Sequence, residues 1–311
     1  MIDSFGRKHN YLRISLTEKC NLRCKYCMPE EGITLQKSSK YMNSNEVLEM
    51  AKQFVKLGVT KIRLTGGEPM VRKDFGIIVQ ELGKLPVELT LTTNAVFADH
   101  FITEMKSAGI RTINISLDTL KRQRFQDITR RDDFDQVMKN IQLLKKDFQV
   151  KINTVLMRGV NDDEVIDLVK FAAAEQIEVR FIEFMPFTGN SWDDKDTITK
   201  QEIVDQVLTN FPESELTQLT TKENDTSKTF LLSQLNAKFG VIASVSNPFC
   251  DSCNRLRLTA DGKLKNCLFS GDETNLLEAH REGKALKELI FSSVKNKKKG
   301  LGGLDQLNNE T

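Results

Sequence analysis

The chain has no apolar run near the roughly 20 residues that a membrane-spanning helix requires. Its N-terminal stretch, MIDSFGRKHNYLRISL, lacks an apolar signal-peptide core, so the expected compartment is the cytoplasm. Net charge is only +2, which gives no global reason for nucleic-acid or membrane binding. Any anion site must come from local placement of Arg and Lys. There is no GxxxxGK, and a P-loop is excluded. The histidines, His9, His100 and His280, are scattered and are assigned no role. Residues 28–249 contain no cysteine, because all six cysteines fall into two triplets, Cys20/Cys24/Cys27 and Cys250/Cys253/Cys267. Three disulfides are arithmetically open, but tight C-x-x-C spacing in a cytosolic chain marks metal binding or redox work more often.

What is present is an ordinary globular composition, 39% hydrophobic and 28% charged, in a chain of 311 residues. Short runs rich in Ile, Val, Leu and Thr predict strands at 12–16, 61–64, 88–91, 112–116, 151–156 and 178–184. Amphipathic patterns between them predict helices after Ser44 and across 77–85, 101–108, 134–144 and 164–174, the last capped by Asn161 or Asp162. Gly58 supplies a helix stop. This alternation predicts an α/β fold: an incomplete (partial) TIM-type parallel barrel of about six strand–helix units over 1–188. A connecting segment follows over 189–229, with a possible helix at 200–208 and a loop at 217–228. A C-terminal α+β extension over 230–311 has strands at 241–245 and 256–258 and a solvated tail carrying Lys295, Lys297, Lys298 and Lys299. Ligands of such folds sit at the carboxyl ends of the strands. There the sequence puts Cys20, Gly66-Gly67-Glu68-Pro69, Thr92-Thr93-Asn94, Ser116-Leu117-Asp118 and Met185.

The first triplet, C-x3-C-x2-C, offers three soft thiolate ligands and no nearby histidine. Structural zinc wants four ligands. Three thiolates on a four-iron cubane leave one iron open to a small molecule. In the second triplet, C-x2-C-x13-C, the Asp261-Gly262 pair signals a two-residue hairpin. Pairing back from that turn sets Leu264 opposite Thr259, Asn266 opposite Arg257 and Cys267 opposite Leu256, returning Cys267 toward Cys253. Arg255 and Arg257 share one strand face, an arrangement suited to bidentate grip of phosphate or to a plain exposed basic edge.

With Tyr26 directly before its third cysteine, the first triplet resembles the signature of the radical S-adenosylmethionine (SAM) superfamily. The resemblance implies a [4Fe–4S] cluster on Cys20, Cys24 and Cys27 that chelates SAM and yields a 5′-deoxyadenosyl radical. It also implies cofactor contacts at Tyr26, at Gly67 of the GGEP turn, at Ser116 and at Met185. The second triplet, with R-x-R directly after Cys253, resembles the GTP 3′,8-cyclases of molybdenum cofactor biosynthesis. That resemblance runs from Arg13 to Cys267 and includes Thr129-Arg130-Arg131, Gly159-Val160-Asn161-Asp162 and Arg180-Phe181-Ile182-Glu183-Phe184-Met185. It implies a second [4Fe–4S] cluster on Cys250, Cys253 and Cys267 that binds guanine, and catalytic roles for Arg255 and Arg257. Triphosphate contacts are implied at Arg13, Arg63, Lys151, Arg255 and Arg257, and a further substrate contact at Thr92. The implied partners are GTP, a flavodoxin- or ferredoxin-type electron donor, a downstream cyclic pyranopterin phosphate synthase and a second copy of the chain. That family ends in Gly-Gly, whereas here residues 304–311 follow Gly302-Gly303, which implies an altered tail or a divergent paralogue. Two rivals are a radical SAM enzyme acting on peptides, which leaves the Arg255/Arg257 pair unexplained, and a metal or cluster carrier, which needs no SAM pocket.

Overall fold

A computed structural model describes residues 1–186 and 193–303; the expected boundary near 188 and the stretch 304–311 lie outside them. The first half alternates β1 (Tyr11–Ser15), α1 (Ser44–Lys56), β2 (Lys61–Thr65), α2 (Phe75–Gly83), β3 (Glu88–Thr93), α3 (Ile102–Ser107) and β4 (Thr112–Ser116). Then come α4 (Arg122–Thr129), α5 (Phe134–Leu144), β5 (Gln149–Leu156), α6 (Val165–Glu175), β6 (Glu178–Glu183) and α7 (Lys200–Asn210). The remainder comprises β7 (Leu216–Gln218), β8 (Lys228–Leu232), β9 (Ala237–Ile242), β10 (Arg255–Leu258), β11 (Lys263–Lys265), β12 (Thr274–Asn275), α8 (Leu276–Arg281) and α9 (Leu286–Lys295).

The strands make one sheet in the order β12-β11-β10-β1-β2-β3-β4-β5-β6-β9-β8-β7. Neighbours from β10 through β9 run parallel, and the antiparallel pairs lie at the two margins. The period-2 rule sorts the faces. Along β1, Leu12 and Ile14 are fully buried against the helix layer, and Arg13 turns to the other side with Tyr11 and Ser15. Helix α1 shows why the layer holds: Val47, Met50, Ala51 and Phe54 form one buried stripe. Asn43 and Glu46 close a capping box at its start, and Gly58 leaves it at φ +94°. Each large apolar side chain so buried stabilises the fold by about 1.5–3 kcal/mol.

The C-terminal strands do not build a sheet of their own. β9 continues the parallel sheet beside β6 and β10 continues it beside β1, so the N-terminal block is extended on both sides. β9 starts at Ala237 rather than 241, because Phe239 and Val241 are the residues that bury against Val179 and Phe181. The sequence pattern did not mark α4, α8 or α9. In α9 the signal was there, with Leu286, Ile290 and Val294 buried at four-residue spacing, but the lysines that follow obscured it. Asn161 does not cap α6; its carboxamide accepts from Met157 N and donates to the carbonyls of Asp118 and Val155. The hairpin register also differs from the expectation by one residue. Leu258 pairs with Leu264 and Arg257 with Lys265, since Thr259 closes a longer loop by accepting from Gly262 N and donating to Lys263 O, with Gly262 at φ +71°.

Candidate active site

The loop carrying the first triplet leaves the carboxyl end of β1 and is pinned by backbone at several points. Cys27 N and Met28 N both donate to Cys24 O at 2.9 Å, and Arg23 N and Lys25 N donate to Thr129 O and Ile128 O beside the end of α4. The GGEP turn packs beneath it. Gly67 N donates to Thr17 O at 2.7 Å and Glu68 N to Lys19 O at 2.8 Å. A Cβ on Gly67 would stand 2.2 Å from Lys19 O, and one on Gly66 2.6 Å from Thr17 O. Both glycines are therefore required by the approach of the cysteine loop itself. The Glu68 carboxylate is buried and accepts from Thr93 Oγ1, Met70 N and Asn94 N, and Asn94 Nδ2 reaches toward Cys20 Sγ at 3.8 Å. Burial, offset by those hydrogen bonds, pushes Glu68 up to about 7.

Cys20, Cys24, Tyr26, Cys27, Gly67 and Ser116 line one cavity of about 210 Å³, and Arg13 and Thr92 reach the same wall. Tyr26 donates its hydroxyl to Asp118 at 2.8 Å and sets its ring edge-on to Phe184. Burial raises Asp118 to about 6, with the bonds from Val155 N and Tyr26 pulling against it. Burial likewise raises the thiols, Cys20 to about 11 and Cys24 well above its ordinary value. Met185 lies two residues past the end of β6 and is not among the residues lining that cavity.

Strand register builds the second feature. Arg257 of β10 pairs with Arg13 of β1, which pairs with Arg63 of β2, so three guanidiniums stand in one row across three strands. Arg63 donates to Tyr11 Oη at 2.5 Å and to Thr92 Oγ1 at 3.3 Å. Arg255 lies over the Phe249 ring, 4.6 Å from its centre, with a buried amino nitrogen that has no partner. Burial, and then repulsion from Arg257, Arg63 and Arg255, pushes Arg13 down to about 9, and its Nε has no acceptor. Buried, mutually repelling guanidiniums with unpaired donors are chemically suited to an anion. Lys151 is held differently: it donates to Glu178 at 2.8 Å, and Glu178 also takes Arg180.

The second triplet lies beside Arg255. Cys250, Cys253 and Cys267 are half-buried and within electrostatic reach of one another. Lys297 donates to Cys253 Sγ at 3.4 Å and to the carbonyls of Arg255 and Asn266, so this lysine of the expected solvated tail is buried. Burial alone would raise Cys253, but Lys297 and Arg255 outweigh it and hold the thiol down at about 7. Among the described residues, no three His, Cys, Asp or Glu side chains converge on a point that one metal ion could occupy.

Tyr11, Asp118, Glu178, Arg180 and Lys297 carry none of the sequence-assigned roles. Tyr11 was legible, since it lies two residues before Arg13 and shares its face. Arg180 and Glu178 are legible by the same alternation on β6. Lys297 carried no signal, because nothing in a lysine-rich tail distinguishes the buried one.

Comparison with known proteins now bears on this geometry. Residues 14–172 match the radical SAM superfamily, and residues 177–302 match the family described as Molybdenum Cofactor Synthesis C. The chain is 41% identical to the GTP 3′,8-cyclase of Listeria welshimeri, over 95% of this chain and 90% of that protein. It is 43% identical to molybdenum cofactor biosynthesis protein 1 of Dictyostelium discoideum, over 99% of this chain and 50% of that protein. This chain thus spans about half the length of several of the curated relatives it matches. Among solved structures, Streptococcus suis SuiB bound to S-adenosylmethionine shares the fold, with a TM-score of 0.63 and 16% identity over 96% of this chain and 68% of that one. No helix among the described residues is long and apolar enough to cross a membrane. With both halves matched and near-complete alignment to a cyclase of similar length, the chain belongs to the radical SAM superfamily and, within it, to the GTP 3′,8-cyclases of molybdenum cofactor synthesis.

Proposed function

We propose that this chain converts GTP to 3′,8-cyclo-7,8-dihydro-GTP, an early intermediate of the molybdenum cofactor. The observation that carries this reading is the Arg257–Arg13–Arg63 row beside the cavity of the first cysteine triplet, with the second triplet next to Arg255. A [4Fe–4S] cluster on Cys20, Cys24 and Cys27 together with SAM supplies, when bound, a 5′-deoxyadenosyl radical. Tyr26, Gly67, Ser116 and Met185 are the residues we assign to SAM. Cys250, Cys253 and Cys267 would hold the second [4Fe–4S] cluster, beside which guanine binds.

The remaining tasks fall to the chain. Arg13, Arg63, Arg255, Arg257 and Lys151 grip the triphosphate, and each phosphate oxygen offsets the repulsion among the guanidiniums. Thr92, already bonded to Arg63, adds a neutral contact. Arg255 and Arg257 also act as catalytic residues, because they reach from the phosphate end to the second triplet. Anchoring base and triphosphate at separate points fixes the ribose between them with its C3′ toward the radical source, so that C3′ and guanine C8 meet as neighbours. Curvature of the parallel strands into a partial barrel over 1–188, with a connection over 189–229 and an extension over 230–311, would keep water from the ribose. A one-electron donor of flavodoxin or ferredoxin type, a homodimeric assembly, a cytoplasmic setting and hand-over to a cyclic pyranopterin phosphate synthase complete the reading.

The test is anaerobic. The reconstituted protein is given SAM, dithionite and GTP, and 5′-deoxyadenosine and cyclised GTP are measured together. Both are expected, and both vanish in Cys24→Ala. Deoxyadenosine without cyclised GTP would move the substrate assignment elsewhere; neither product, with iron and sulfide verified, would overturn the reading.

A further inference from the structure

Three buried polar side chains ahead of β1 have no part in the chemistry above: Asp3, Arg7 and His9. Asp3 joins them. It accepts from Arg7 Nε at 2.6 Å, lies 3.0 Å from His9 Nε2, and takes the backbone N–H groups of Phe5 and Arg7. The guanidinium is thereby fixed in plane, and its other nitrogens donate to three carbonyls. These belong to Cys250 at 2.9 Å, Lys299 at 2.7 Å and Lys298 at 2.8 Å. Ser4 Oγ adds a bond to Lys295 O at 2.8 Å.

The segment so held runs on past the second triplet. Lys297 bonds Cys253 Sγ, and Leu301 N donates to Cys250 Sγ at 3.3 Å. Gly302, at φ +67°, lies so close to Phe269 and Ser270 that a Cβ would stand 2.6 Å from Ser270 N. Among the described residues beyond α9, only a short turn at Leu301–Gly303 has regular structure of its own. Its course is set by these contacts, and the Arg7 fork is the one that touches both the stretch and the Cys250 backbone.

We propose that Arg7, braced by Asp3 and His9, is a positioning residue for the second cysteine site. It clamps the Cys250 carbonyl and residues 298–299 to one another, so that Leu301, Gly302 and the Cys250 thiol keep a fixed relation. A planar fork serving three carbonyls is not replaced by the point charge of lysine. The inference rests on reading the second triplet as a cluster site, but the clamp itself exists without GTP.

Arg7→Gln tests it, with Arg7→Lys for comparison and Lys8→Gln as an exposed neighbour. In the metal-free protein, tryptic cleavage after Lys297, Lys298 and Lys299 should be at least about tenfold faster in Arg7→Gln and intermediate in Arg7→Lys, as expected when a segment is released from its contacts. In a Cys20→Ala/Cys24→Ala/Cys27→Ala background, iron bound per chain and the electron paramagnetic resonance signal of the reduced second site should both fall in Arg7→Gln. With the first triplet intact, deoxyadenosine formation should hold near wild type. Wild-type tail cleavage together with wild-type second-site iron would overturn the proposal. Should Arg7→Gln fail to fold, Gly302→Ala leaves the N-terminal segment untouched and displaces the same stretch; faster cleavage with lower second-site iron supports the clamp, and no change in either overturns it. Failure of the cyclase reading looks different: second-site iron and tail protection stay normal in the wild type, and no cyclised GTP forms.

Discussion

The two cysteine triplets use the same ligand in the same number, yet the protein surrounds them with different charge. Around Cys20, Cys24 and Cys27 the nearby ionisable groups are the buried carboxyls of Glu68 and Asp118 and the guanidinium of Arg23, and burial raises all three thiols. Around Cys250, Cys253 and Cys267 they are Arg7, Arg255 and Lys297, and Cys253 falls to about 7. The sites also differ in origin. The first is one short loop, seated by two glycines; the second is assembled from a turn, the far strand of a hairpin and the chain beyond α9. A mixed surround offsets its own charge, whereas a wholly basic one draws anions. Charge thus distinguishes two thiol sites that share one sheet.

Removing one thiol from each site would show the largest effect. Cys24→Ala should abolish deoxyadenosine formation while iron persists on the second triplet. Cys253→Ala should keep deoxyadenosine and lose cyclised GTP. Identical phenotypes for the two variants would erase the division of labour.

Truncation within the arginine row comes next. Arg257→Ala should weaken GTP binding by roughly 10–100-fold in equilibrium dialysis, the value of a charge-assisted hydrogen bond of about 1.5–3 kcal/mol. It should also raise the melting temperature of the free protein, because Arg13 loses the strongest of its repelling neighbours. Weaker GTP binding accompanied by a lower melting temperature would mean that Arg257 is a packing residue.

Acid should strain the N-terminal clamp. Burial first, and then the charge of Lys297, hold His9 at about 4 rather than 6.5, with Asp3 pulling the other way. The unfolded chain therefore takes up the proton first, and stability is lost as pH falls from 6.5 through 4, by an amount on the order of 3 kcal/mol. Asp3, held at about 2 against 3.8, extends the loss below that window. His9→Gln should flatten the upper part of this slope in urea melts between pH 7 and 4; an unaltered slope would assign the acid sensitivity elsewhere.

The smallest effect concerns one thiol. Lys297→Met should raise Cys253 toward its ordinary range and slow its alkylation in the metal-free protein at neutral pH by about tenfold, leaving Cys24 unaffected. Equal slowing at both would mean a global rearrangement.

These residues also show what a sequence makes legible. The first triplet, GGEP and Ser116 could be placed because each lies at the end of a short apolar run, and parallel strands send their carboxyl ends to one side. The Arg13 and Arg63 alignment was within reach for the same reason. What could not be read depended on pairing across long separations. Whether β10 would lie beside β1, and so bring Arg257 level with Arg13, is a matter of register that no local pattern encodes. The hairpin slipped by one residue in the sequence reading because Asp261-Gly262 suits a two-residue turn, while Thr259 closes a longer one. Arg7 and Lys297 look like ordinary surface residues until the two ends of the chain meet.

That meeting has a consequence for biosynthesis. The partner of β1 on one side, β10, is made some 240 residues after it. At about 5–20 residues per second, that edge of β1 stays unpaired for roughly 12–50 s. Through that interval Arg13 stands on an unpaired strand, and a charged edge resists pairing with a neighbouring nascent chain. Arg13, later the middle of a row of three guanidiniums, would serve during synthesis to keep the growing sheet to itself.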